Sequence, residues 1–359
     1  MRDLEAKRLV IFAGKGGVGK TTCSAAAALW FAKRGRKVLL VTVDPAKRLE
    51  DSLGVPVGAD ATPVQPNLWA MMLDPEAVIK EHLEREVPEA RITEHPLFRQ
   101  GTKAMPGLNE LMAIGKLNDI RKADAYDVVV LDTAPTGHAL SFLSAPKAIE
   151  ELMGDKSLLK WAVKGYTVWQ KVSGAARNVQ NLLRKKDDRA AAPPDIDFEK
   201  VFGDIEQEAK RIRAFLTDPD HSALVLVTIP EKLPVEETCD LHDAVTGDLG
   251  MLVRGIVVNK VQPDPVAGHD ARLQQLAKPE ARLAFARAAA AATGDDPAFV
   301  AGLVDATEFS RIRRAMNLEH IEELARRLPE VPRVLLPLHR EDVHGLKRLR
   351  AFGADLFAE

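Results

Sequence analysis

Residues 14–22 read Gly14-Lys15-Gly16-Gly17-Val18-Gly19-Lys20-Thr21-Thr22, the spacing G-x-x-x-x-G-K-[ST]. An apolar run, Arg8–Ala13, precedes them, and a helix-forming run, Ser24–Arg34, follows. Strand, glycine-rich loop and helix in that order are the context in which this spacing receives phosphate. Gly14, Gly16, Gly17 and Gly19 let backbone N–H groups, that of Val18 among them, close around phosphate oxygens at a helix N-terminus. In such a loop Lys20 reaches the β and γ phosphates of ATP, the hydroxyl of Thr21 ligates Mg²⁺, and Thr22 is expected to complete the nucleotide-binding set.

Outward from the loop, six more short runs share the Val-, Leu- and Ile-rich character of Arg8–Ala13: Lys37–Val43, Leu68–Leu73, Asp127–Asp132, Ala223–Thr228, Arg254–Asn259 and Arg333–Leu336. None alternates cleanly between apolar and polar, as expected of parallel strands covered on both faces. Helical stretches separate most of them, which predicts an α/β fold: a mostly parallel sheet flanked by helices, with right-handed crossovers. Two intervals, about 74–124 and 150–220, lack strand-like runs and read as helical. The expected organisation is therefore one P-loop NTPase domain over 1–359. Its nucleotide-binding core would be 1–74, 124–149 and 221–359, and 75–123 with 150–220 would form an inserted helical subdomain.

Composition narrows the function. Fifty Lys and Arg against 52 Asp and Glu give a formal charge of -2, which argues against a protein that coats nucleic acid. The N-terminus has no apolar signal core, and no run approaches the ~18 apolar residues of a membrane span. The expectation is a soluble cytoplasmic protein, with peripheral attachment to a membrane left open. Cys23 and Cys239 are the two cysteines, with no C-x-x-C pair, so a disulfide framework and a structural zinc site are not expected.

Two aspartates stand where strands end. Asp44-Pro45-Ala46 follows Lys37–Val43, and Asp132-Thr133-Ala134-Pro135-Thr136-Gly137-His138 closes Asp127–Asp132. Carboxylates at strand C-termini beside a phosphate loop are placed to hold Mg²⁺ and an attacking water. With the loop sequence, with Pro106-Gly107-Leu108-Asn109-Glu110 and with Leu336-Pro337-Leu338, these segments resemble the anion-transporting ATPase family. That family includes the bacterial arsenical pump-driving ATPase and the eukaryotic ATPase that targets tail-anchored proteins. Lys15 resembles the second lysine of the deviant Walker A group. The resemblance implies a dimer in which Lys15 reaches the nucleotide of the partner subunit, and a catalytic set of Lys15, Lys20 and Asp44. It further implies that Asp44 positions water, that Asp132 holds Mg²⁺ through water, and that Asn259 and Pro337 flank the adenine.

Other features depart from the family. Arsenite-responsive members need clustered thiolates for soft As(III), and two cysteines far apart in sequence do not supply them. The zinc-holding C-x-x-C of the targeting factors is absent, so a dimer would rest on packing and shared nucleotide. Asp44-Pro45-Ala46-Lys47-Arg48 looks closest to single-domain bacterial members, some encoded as pairs, which leaves homodimer and heterodimer with a paralogue both open. Val343, Leu346, Leu349, Phe352 and Leu356 give the last helix an apolar face that reads as core packing rather than a lipid anchor.

Residues 155–189 carry nine Lys and Arg against three Asp, a net of +6, and apolar positions recur at helical spacing from Leu158 to Leu183, with Trp161 and Trp169 among them. Such a stripe suits either a groove for a hydrophobic helix client or internal packing. The expected function is a dimeric Mg²⁺-dependent ATPase that couples hydrolysis to binding of a client or membrane protein. A slow nucleotide-switched scaffold and the energising subunit of a permease are the alternatives.

Overall fold

The apolar runs pair side by side into an eight-stranded sheet of order β3-β4-β2-β5-β1-β6-β7-β8. The strands are β1 Leu9–Gly14, β2 Val38–Thr42, β3 Thr62–Gln65, β4 Leu68–Met72, β5 Val128–Asp132, β6 Ser222–Thr228, β7 Val253–Val261 and β8 Arg333–Pro337. The computed structural model describes residues 2–44, 48–74, 77–78, 107–154, 198–264 and 278–357. The basic stripe with Trp161 and Trp169, and Pro45, Ala46 and Pro106, lie outside the described residues.

All neighbouring strands run parallel except β3, which pairs antiparallel with β4. β3 is the one strand not anticipated. Its four residues, Thr-Pro-Val-Gln, hold a proline and no apolar run, as an edge strand tolerates. The turn into β4 passes through Asn67 at φ 63, a left-handed position that asparagine accepts.

The described helices are α1 Lys20–Lys33, α2 Arg48–Leu53, α3 Leu108–Lys122, α4 Thr136–Gly154, α5 Phe198–Thr217, α6 Lys232–Asp243, α7 Pro279–Thr293, α8 Pro297–Arg327 and α9 Gly345–Phe357. They cover both faces of the sheet. Leu9, Ile11 and Ala13 of β1 join one apolar cluster with residues of α3, α4, α5 and α6, while Val10 and Phe12 join another with α1 and α9. Every residue of β1, β2, β5 and β6 is buried, which is why these strands read as continuous apolar runs. α3 and α5, which fall within the two intervals expected to be helical, pack into the sheet's own cluster through Leu111, Ile114, Ala209 and Ile212.

α1 is clamped between the sheet and α9. Ala25 to Ala28 are fully buried, so the helix is apolar all round rather than striped. Trp30 stacks on Phe357 at 3.9 Å between centroids, and the guanidinium of Arg34 lies 3.9 Å over the same indole. Leu349, Phe352 and Leu356 are buried against α1, each worth roughly 1.5–3 kcal/mol of transfer free energy. The face anticipated for the last helix is therefore core packing. α7 ends at Gly294 in the left-handed conformation, and Asp296 caps α8 by accepting from the Ala298 N–H. No described helix is long and apolar enough to cross a membrane.

Candidate functional site

Register brings the expected residues together. Phe12 of β1 and Thr42 of β2 both lie opposite Asp132 of β5. The loop after β1, the segment after β2 and the segment after β5 therefore leave the sheet side by side at its C-terminal edge, where open parallel sheets present their sites.

Two glycines fix the loop's path. At Gly14 a Cβ would collide with the carbonyl oxygen of Val227 on the neighbouring strand. Gly19, the cap of α1, sits at φ 100, and a Cβ there would strike Nδ2 of Asn259. Lys20 opens α1, is 5% exposed, and donates from Nζ to the carbonyl of Lys15 at 3.0 Å. Burial holds its pKa below the ordinary lysine value, opposed first by the carboxylate of Asp132.

Asp132 is 1% exposed. Its Oδ2 accepts from the hydroxyls of Thr21 at 2.8 Å and Thr42 at 3.3 Å. Burial lifts its carboxyl to about 6, against the opposing pull of the Thr21 hydroxyl and the Lys20 ammonium. Its Oδ1 is buried without a hydrogen-bond partner. Thr133, the next residue, anchors the strand end by donating to the Phe12 carbonyl at 2.9 Å. Asp44 is 8% exposed, its N–H bonds Thr42 Oγ1 at 3.2 Å, and its Oδ2 accepts from Arg48 at 3.2 Å.

On the other side of the loop, Asn259 donates from Nδ2 to the Val18 carbonyl at 2.9 Å and accepts the N–H of Lys260 on Oδ1, also at 2.9 Å. These partners set the orientation of the amide and still leave one donor hydrogen and one acceptor lone pair. That pair matches the N7 and N6 edge of adenine. Pro337 ends β8 opposite Val261, two residues beyond Asn259 in β7.

Lys15 does not fold back onto its own loop. Its ammonium pairs with Glu237 of α6 at 2.7 Å, both side chains about one-third exposed, at 32% and 33%. Glu237, Thr42, Arg48 and Lys260 are contacts that sequence reasoning missed. Thr42 stands two residues before Asp44, which is a weak local signal. Glu237 lies 222 residues from Lys15 and gives none.

The arrangement offers hard oxygen donors and one buried ammonium around a glycine-rich loop. Among the described residues no group of three or more His, Cys, Asp or Glu could hold a metal. A Mg²⁺ taken up with a nucleotide needs fewer protein ligands than that.

A model of the anion-transporting ATPase family matches residues 7–283. ATPase GET3 of Malassezia globosa is 31% identical over 271 residues, 73% of this chain and 75% of that protein. A protein of Chlorobaculum tepidum named as an arsenical pump-driving ATPase is 33% identical over 242 residues, 64% of this chain and 56% of its own length. The chain thus spans little more than half of that relative. A second protein of that name, from Aquifex aeolicus, is 26% identical over 356 residues, 96% of this chain and 97% of its own. With the family model spanning well over half of its length, this chain belongs to the anion-transporting ATPase family and is an ATPase.

Proposed function

We propose that the chain works as a Mg²⁺-dependent dimer in which ATP draws two sheet domains together and hydrolysis lets them part. The segments 75–123 and 150–220, expected from the sequence to form an insert, would move with that cycle and take up or release a hydrophobic helix or membrane-protein partner. The observation that carries the reading is the direction of Lys15. Its charge sits on Glu237 at the rim of the site, while Lys20 fills the loop. A rim lysine held by a half-buried carboxylate can transfer to a neighbouring subunit, and a second cation at the transferred phosphoryl group stabilises the charge of the transition state.

The residues fit the metal. Asp132 has one buried oxygen without a hydrogen-bond partner, and the Thr21 hydroxyl sits on the other. Thr21 and Asp132 would hold Mg²⁺, which neutralises charge on phosphate oxygens when bound with ATP. Lys20 balances the β and γ charge, and its buried ammonium needs no reorganisation to do so. Asp44 orients the attacking water. Arg48 fixes one of its oxygens, so the carboxylate enters the reaction already aimed.

Subunit complementation tests the dimer. Lys15→Ala and Asp44→Asn should each bind ATP and turn over poorly. When the two are mixed, one site of each hybrid pairs a wild-type Asp44 with a wild-type Lys15 from across the interface, and turnover should recover in part. If demonstrated hybrids stay inactive, Lys15 does not act across the interface.

A further inference from the structure

Asn259 is followed by a residue in an unusual conformation. Lys260 sits at φ 58 inside β7, a left-handed position that a side-chain-bearing residue adopts reluctantly. The pairing of β7 with β8 shifts register across the same stretch, between Val258 and Val261. This local twist delivers the Lys260 ammonium to the carbonyl of Gly17 at 3.1 Å. Its own N–H fixes Oδ1 of Asn259, whose Nδ2 takes the carbonyl of Val18. Two adjacent carbonyls of the phosphate loop are thus held by two adjacent residues of β7.

In a trans peptide the C=O and the following N–H point in opposite directions. Holding the Gly17 and Val18 carbonyls toward β7 turns the N–H groups of Val18 and Gly19 away from it. Outward-facing carbonyls and converging N–H groups are what a loop needs to receive phosphate. Asn259 alone could hold one of these peptides, and the second depends on Lys260. We infer that Lys260 is a positioning residue for the nucleotide, which keeps the 17–18 peptide in its phosphate-receiving orientation before ATP arrives. The inference rests on the nucleotide-site reading above.

Three variants separate side chain from backbone. Lys260→Gly suits φ 58 and removes the ammonium, Lys260→Met removes the charge but keeps the bulk, and Lys260→Arg keeps the charge. KM for ATP and the calorimetric Kd for ADP should rise about tenfold in the Gly and Met variants, in line with loss of one charge-assisted hydrogen bond. The loss should fall mainly in KM rather than kcat, and Arg should restore most of it. The Gly variant should melt at or above the wild-type temperature, so that weakened binding cannot be ascribed to unfolding. Wild-type KM and Kd in both the Gly and Met variants would overturn the inference. Lys20→Ala is the control: if it abolishes binding while the Lys260 variants bind normally, the nucleotide site stands and only the role of Lys260 falls.

Discussion

Asp132 is a carboxylate with two hydroxyl partners, one orphaned oxygen and no access to water. Its folded pKa of about 6 lies above the ordinary 3.8, so the native chain holds this proton more tightly than the unfolded chain does. By linkage the group favours the fold fully below about pH 4, and that contribution is lost as pH rises through 6. The charged form is therefore kept at the expense of stability and is available for a cation. We predict that Asp132→Asn raises the melting temperature of the nucleotide-free chain at pH 7.5, that the gain shrinks at pH 5, and that Mg²⁺-supported hydrolysis disappears. A variant less stable than wild type at pH 7.5 would contradict this account. The same burial pushes Lys20 toward its neutral form as well, and the attraction between the Lys20 ammonium and the Asp132 carboxylate opposes both displacements.

At the scale of elements, α1 transmits the site to the rest of the fold, because it begins at Lys20 and is held along its length by α9. Gly353 is where the two helices meet most closely. A Cβ there would lie 3.0 Å from the Ala26 carbonyl oxygen and 3.6 Å from the Trp30 side chain. Gly353→Val should force the helices apart and destabilise the chain by about 1–3 kcal/mol, as overpacking does. Unchanged thermal unfolding would show the contact to be slack. The apolar face of α9 was legible in the sequence, since Leu349, Phe352 and Leu356 recur at helical spacing. β1, β2, β5 and β6 were legible because burial on both faces leaves them no polar alternation, and β4, β7 and β8 because they too are short apolar runs. β3 was not, since Thr62 to Gln65 is neither apolar nor buried throughout. The phosphate loop announced itself because its glycine requirements are local. Glu237 and Lys260 did not, because their roles come from elements distant in sequence meeting at one edge of the sheet.

Over the whole molecule, the sheet keeps the two cysteines apart. Cys23 belongs to the cluster on the α1 face and Cys239 to the cluster on the opposite face, and burial pushes the Cys23 thiol well above its ordinary range. The sheet lies between them, so one As(III), which needs its thiolates clustered, cannot bridge these two sulfurs in the folded chain. Hydrolysis should therefore be indifferent to arsenite, measured as phosphate release with and without it. Stimulation that vanishes in a Cys23→Ala, Cys239→Ala double variant would refute the separation. The same sheet also sorts the motif's residues by what they answer to. Gly14 lacks a side chain because the Val227 carbonyl of the adjacent strand occupies that space, a demand of β1–β6 pairing that exists whether or not ATP is ever bound. On the proposed reading, Lys20 and Lys15 answer instead to the nucleotide and the partner. In a duplicated copy that had lost catalysis, drift would erase the lysines first and leave the opening glycine standing, so a surviving Gly14 records the ancestry of the sheet and a surviving Lys15 the persistence of the work.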